Sequence, residues 1–228
     1  MEEKTITVSG HGTLNIVPDV TRIDLTLKSL HETYAEAYSQ AKEDADKLSA
    51  IMKKAKLDPT LPKTTSLEIE KQTRRDYDRN DNYRGDILIG FLLVHKVEID
   101  LGMDKVLLNK VLHLIGQELK QAEIVIGHTV RDPRPAQLQM LERAVKDAKE
   151  KATIMATASG CQLGDVKSID YSVHALHVYS QYQSIPCAED VCCIGSNPDA
   201  ALDITPNDIE QSERVNISWY LKQGAGEA

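Results

Sequence analysis

Behind the pair Pro18-Asp19, Ile23, Leu25 and Leu27 alternate with Arg22, Asp24, Thr26 and Lys28. A period of two over such a span predicts a half-buried strand with one wet face. The same alternation marks Thr5–Gly10, which runs into Gly10-His11-Gly12 and predicts a strand followed by a turn or bulge. It also marks Thr64 to Thr73, with Leu67 and Ile69 inward, and Glu213 to Leu221, with Val215, Ile217, Trp219 and Leu221 on one face. The strongest case is Ile87, Ile89, Phe91, Leu93, His95, Val97 and Ile99, which share one face of a single strand. Between this strand and the one before it, residues 74–85 are rich in Arg, Asp and Asn and predict a polar hairpin loop joining an antiparallel pair.

The period changes from Glu32 to about Lys56. Tyr34, Tyr38, Ala41, Ala45, Leu48, Met52 and Ala55 recur at steps of four and three, one stripe of a long amphipathic helix that Pro59 ends. A second long helix is expected over Ala136 to Ser159, with Leu138, Leu141, Val145, Ala148, Ala152 and Met155 as its stripe and Gly160 as its stop. Its many alanines would let it approach a packing partner closely. Asp104 caps a short apolar helix carrying Leu107, Val111, Leu112, Leu114 and Ile115. Further strands are predicted around Ala122 to Val130 and from Val166 to about Tyr182, and a loop from Pro186 to Pro206.

The resulting order, β-β-α-β-β-α-β-α-β-β, places strands next to strands. It predicts an α+β fold of mainly antiparallel sheet packed by two long helices and one short one, not a doubly wound fold. Residues 4–221 are expected to form one domain, with 4–101 and 102–221 as two lobes at most, and residues 222–228 a disordered tail. The two helical stripes are expected to pack on the protein's own sheet rather than in an intermolecular coiled coil.

Composition narrows the function classes. The chain of 228 residues is 41% hydrophobic and 27% charged, ordinary for a globular protein. Its net charge of −8 opposes non-specific binding to nucleic acid or anionic membrane. Lys53-Lys54 and Arg74-Arg75 sit among acidic neighbours and read as solvated faces. No stretch reaches the ~18 consecutive apolar residues of a transmembrane helix, and no apolar leader follows Met1. A cytoplasmic protein is therefore expected, or a periplasmic one whose leader has been removed.

The candidate chemistry is thin. Ser9-Gly10-His11-Gly12 offers a serine and a base, but no strand-to-helix elbow exposes the serine, and glycines that permit a turn explain the motif more simply. Cys187, Cys192 and Cys193 lie within seven residues of one another and with Cys161 make a poor disulfide framework. Free thiols are expected. As a redox set they would need nearby positive charge, and the loop supplies Glu189, Asp190 and Asp199 instead. As zinc ligands they lack the paired spacing, and His174 and His177, three apart on a strand, point to opposite faces. His95 on an apolar strand face reads as a core or interface histidine. Phosphate-cradling glycine loops and HExxH are absent, so no cofactor, metal or catalytic residue is assigned.

Four collinear patterns resemble the SIMPL family of bacterial proteins, periplasmic and cytoplasmic. They are Ile6-Thr7-Val8-Ser9-Gly10-His11-Gly12 with Pro18-Asp19, Gly90 before Phe91 where the family usually has Tyr, the run from Ala144 to Ala152 continuing to Ala158-Ser159-Gly160-Cys161-Gln162-Leu163-Gly164, and Ile204-Thr205-Pro206 ahead of the last strand. The usual export signal is missing, and the cysteines between Pro186 and Pro206 are additional to the family pattern. The resemblance implies no established reaction. It implies links to oxidative-stress defence, to cell-surface immunogens and to signalling complexes, and large rings in some members. A non-enzymatic protein acting as a homo-oligomer or by binding a protein partner is the resulting expectation, with exposed strand edges as the route. A thiol-based redox protein using Cys187, Cys192 and Cys193 is the alternative, and an unrecognised hydrolase a distant third.

Overall fold

The structure, a computed structural model, describes residues 3–119, 122–171, 183–185 and 207–223, with the backbone alone for 183–185. Within them the fold is α+β. The chain forms two compact units that interleave in sequence. One takes Met1–Pro18, Val130–Ser180 and Asn207–Ala228, the other Asp19–Thr129 and Gln181–Pro206. Neither coincides with the stretches 4–101 or 102–221.

The first unit begins with β1 (Thr5–Ile16). The second unit supplies β2 (Val20–His31), α1 (Tyr34–Ala55), β3 (Lys63–Tyr77), β4 (Tyr83–Gly102), α2 (Lys105–Glu118), β5 (Ala122–Thr129) and a short β7 (Gln183–Ile185). The first is completed by α3 (Arg134–Ala158), β6 (Cys161–Asp170) and β8 (Ile209–Gln223). All pairings are antiparallel, in the strand orders β1-β8-β6 and β3-β4-β2-β5-β7.

Along β2 and from Leu93 to Ile99 of β4 the period of two is realised as read. Ile23, Leu25 and Leu27 of β2, with Val97, Ile99 and Leu101 of β4 and Ile124 and Ile126 of β5, face Leu48, Ile51 and Met52 of α1 and Leu108, Val111 and Ile115 of α2. Burying such side chains stabilises the fold by about 1.5–3 kcal/mol each. Both helices start at side-chain caps. Thr33 and Glu36 form a reciprocal capping box on α1, and Asp104 accepts from the Val106 and Leu107 amides at α2. Lys56, in the left-handed region at φ 63°, ends α1 before Pro59.

In the three-stranded sheet, Val8, Val215, Ile217 and Trp219 pack against Ala144, Ala148 and Ala152 of α3. Gly10 and Gly12 form neither turn nor bulge. They lie inside an unbroken β1 whose register with β8 is continuous, and among the described residues the left-handed glycines are Gly85 and Gly160. What they allow is contact with the helix. A Cβ placed on Gly10 would lie 2.0 Å from the Ala144 carbonyl oxygen, and one on Gly12 would lie 1.9 Å from that of Met140. Gly160, at φ 71°, stops α3 as expected.

Both long helices pack on their own sheets, but their buried stripes are rotated from the expected ones. On α3 the buried positions are Met140, Ala144, Ala148, Ala152 and Ala156, while Leu138, Val145 and Met155 are exposed. On α1, Tyr34, Tyr38 and Ala45 are exposed, and Ala37, Asp44 and Ile51 are buried instead. Leu67, expected inward on β3, is exposed as well. β6 starts at Cys161 rather than Val166 and β8 runs to Gln223, two residues into the expected tail. No helix among the described residues is long and apolar enough to cross a membrane.

Candidate interaction surface

The expected loop at residues 74–85 is instead strand for most of its length. β3 continues to Tyr77 and β4 begins at Tyr83, so only residues 78–82 turn. Asp78 builds that turn. Its carboxylate accepts from the backbone amides of Asn80 (2.8 Å) and Asn82 (2.9 Å) and from Asn82 Nδ2 (3.1 Å), and the Asn82 amide, the largest influence, holds its pKa below the ordinary carboxylate value. Asp81 takes the left-handed conformation, φ 60°, that Asp tolerates. Tyr77 and Tyr83 meet edge to face at 5.9 Å between ring centroids, and the Tyr83 hydroxyl donates to Asp86 at 2.9 Å.

The pairing of β2 with β4 ends at His31 and Phe91. Beyond Phe91, β4 is paired with β3 alone, from Gln72–Gly90 to Tyr77–Tyr83. The result is a two-stranded arm about 25 Å long at the usual rise per strand residue. An irregularity at its root sets Gln72 opposite Gly90 and Thr73 opposite Leu88, so Ile89 is the extra residue. Ile87, Leu88 and Ile89 are 46%, 49% and 49% exposed. The apolar strand face read from Ile87 to Ile99 therefore divides at Phe91. Leu93 through Ile99 face the core, whereas Ile87 and Ile89 do not.

The edges of the two sheets differ. β1 is an edge strand, yet two of its outward groups are taken by α3: the His11 amide donates to Asp147 Oδ2 at 2.8 Å, and Arg143 Nη1 donates to the Thr13 carbonyl at 2.6 Å. β3 is also an edge strand, over fifteen residues. Among the described residues no side chain hydrogen-bonds to its outer backbone.

The other candidates are engaged structurally. Ser9 Oγ donates to Asn216 Oδ1 and accepts from Arg214 Nη2 at 3.0 Å, so no base activates it among the described residues. Arg22 clamps Asp100 through Nε (2.7 Å) and Nη2 (2.8 Å) and reaches Glu98 at 2.7 Å, tying β2 to β4. Burial nevertheless raises the pKa of Asp24 and Glu98. His95 is 3% exposed, with Nε2 2.9 Å from Thr64 Oγ1 and no partner at Nδ1, which makes it a core residue shut away from solutes. Among the described residues no group of three or more His, Cys, Asp or Glu could hold a metal. Cys161 is a half-buried free thiol, and Cys187, Cys192, Cys193, His174 and His177 lie outside the described residues.

Burial lowers the pKa of His95, with Asp44 opposing, and of His128. The folded state thus binds these protons less readily than the unfolded chain at its ordinary 6.5. Their contribution to stability is complete above that value and is lost as pH falls below it. Asp24 and Glu98, shifted upward, act in the opposite sense in the lower range where carboxyls protonate. The urea midpoint is expected to fall between pH 7.5 and pH 5.5, and to fall less in His95→Gln. An equal fall in that variant would remove His95 from the account.

Compared with known proteins, the chain matches one family model over residues 6–219, that of SIMPL, described as a protein of unknown function (DUF541). No curated protein matches it.

Proposed function

We propose that this chain, which belongs to the SIMPL family, works as a non-enzymatic assembly module that joins further copies of itself or a protein partner through the β3–β4 arm. The observation that carries this reading is the run Ile87-Leu88-Ile89, half exposed on a ribbon of two strands. An isolated two-stranded ribbon is marginal in water. A strand written as a continuous aliphatic run, without alternation, is the pattern of one covered on both faces. Leaving the three side chains wet forgoes much of the about 1.5–3 kcal/mol that each gains on full burial. The capped turn and the Tyr77–Tyr83 contact favour a preformed arm, which lowers the entropic cost of docking.

The test is the solution mass of the full chain by light scattering at micromolar concentration. A multiple of the 25.3 kDa chain mass is expected, and a partner that binds only with the arm intact would support the same surface. A monomer that captures no protein from native cells would contradict the reading.

A further inference from the structure

His95 is buried inside β4, yet only one of its ring nitrogens is engaged. Nε2 lies 2.9 Å from Thr64 Oγ1 of β3, and Nδ1 has no partner among the described residues. On α1, which packs on this part of the sheet through Ala37 and Ala41 against Leu93, Asp44 is a second buried polar group, 6% exposed. Its carboxylate accepts from Gln40 Nε2 at 2.9 Å, and its charge is the one that acts on the His95 ring. The other elements around the ring set no titratable group against it. β2 places Leu27 opposite His95 and β3 places Leu67. Lys96, next along β4, is exposed on the other face of the sheet. Lys47, one turn beyond Asp44 on α1, is half-buried and acts on Glu118.

We infer that His95 and Asp44 form a proton-operated clasp between β4 and α1. With the ring neutral, Asp44 stays on Gln40 and Nδ1 stays empty. A proton taken from solvent makes both ring nitrogens donors. Nε2–H then donates to Thr64 Oγ1, and Nδ1–H needs an acceptor that the neutral arrangement does not give it. Asp44 supplies one by leaving Gln40, an exchange of a single partner that joins helix to strand by a charge-assisted hydrogen bond. Burial opposes the charged ring more than Asp44 favours it, so the exchange falls below the ordinary histidine value of 6.5. The clasp offsets part of the stability lost on acidification without reversing its sign. It closes beside the root of the arm, where Ile69 and Phe91 pack with Ala37, Ala41 and Leu93. Acid thus ties α1 to the strand that carries the arm, whatever the arm binds.

The test follows the His95 Hε1 resonance of the full chain by NMR from pH 7.5 downward, identified as the signal missing in His95→Gln. Far-ultraviolet circular dichroism reports that the chain is still folded at each pH. In the wild type the ring is expected to protonate below 6.5 in the folded chain, with a slowly exchanging low-field Nδ1 proton appearing at the same pH. Asp44→Asn removes the charge and is expected to lower that midpoint by about one pH unit, a tenfold loss of proton affinity. Gln40→Leu takes away the present partner of Asp44 and is expected to raise it. A ring that stays neutral until the chain unfolds overturns the clasp, as does a midpoint that Asp44→Asn leaves in place. A midpoint lowered by Asp44→Asn but unmoved by Gln40→Leu reduces Asp44 to a distant charge and overturns the exchange of partners.

Discussion

Replacing Gly10 or Gly12 with alanine is expected to destabilise the unit built on β1, β6, β8 and α3 by about 3 kcal/mol or more, a methyl group having an effect usually reserved for large core truncations. The atoms in the way are backbone. At Gly10 the new carbon would lie 2.0 Å from the Ala144 carbonyl oxygen and 2.7 Å from the Ala148 amide nitrogen. At Gly12 it would lie 1.9 Å from the Met140 carbonyl oxygen and 2.8 Å from the Ala144 amide nitrogen. No rotamer change relieves such contacts, so α3 must lift off the sheet. Lifting it strips Val8, Val215, Ile217 and Trp219 of their alanine partners. The single tryptophan lies in that layer, so its fluorescence during denaturation reports the loss directly. Gly116→Ala is the control. Nothing lies within 4 Å of a Cβ there, and helix propensity predicts a gain of about 0.5–1 kcal/mol. If Gly10→Ala matched the control, the close seating of α3 on β1 would be wrong.

Changing Ile87 and Ile89 to Thr and Leu88 to Lys is expected to disperse the assembly while leaving the monomer's unfolding midpoint nearly unchanged. The three positions are about half exposed and lie beyond the reach of β2, so the fold of one chain owes them little. Across an interface the balance differs. Completing the burial of three aliphatics contributes on the order of 3 kcal/mol per arm, a factor of roughly one hundred in Kd. Threonine keeps the strand preference, and lysine is the residue natural edges use against pairing. Sedimentation or light scattering reads the outcome. A large drop in the unfolding midpoint with unchanged mass would make the run part of the chain's own core.

Much of the fold was legible because half-buried strands carry their orientation in a period of two. β2, the sheet portion of β4, and β8 are oriented as the alternation of Ile23, Leu25 and Leu27, of Leu93 to Ile99, and of Val215 to Trp219 requires. The helices were harder for a physical reason. The inner face of α3 was selected for small size and not for hydrophobicity, because it sits on glycines. Reading the most apolar stripe therefore rotated the helix toward Leu138, Val145 and Met155. The pairing of Gly10-x-Gly12 with Ala144, Ala148, Ala152 and Ala156 was the available signal, small residues facing small residues. The arm was hidden by its own wetness. On a ribbon with water on both sides, Arg74, Arg75 and Tyr77 need not alternate, and turn-forming composition dominates the reading. The run Ile87-Leu88-Ile89, aliphatic without alternation, was the one local sign that strand continued there.

Hydrogen exchange of the β3 amides, followed at a low and a high concentration of the full chain, tests the central claim most directly. On an isolated chain the outward amides of Leu67 to Tyr77 would exchange quickly at both concentrations. The account predicts that their exchange slows markedly at the higher concentration, while α2 and β5 behave alike at both. Exchange along β3 that does not change with concentration, in a chain whose mass is that of a monomer, would contradict it.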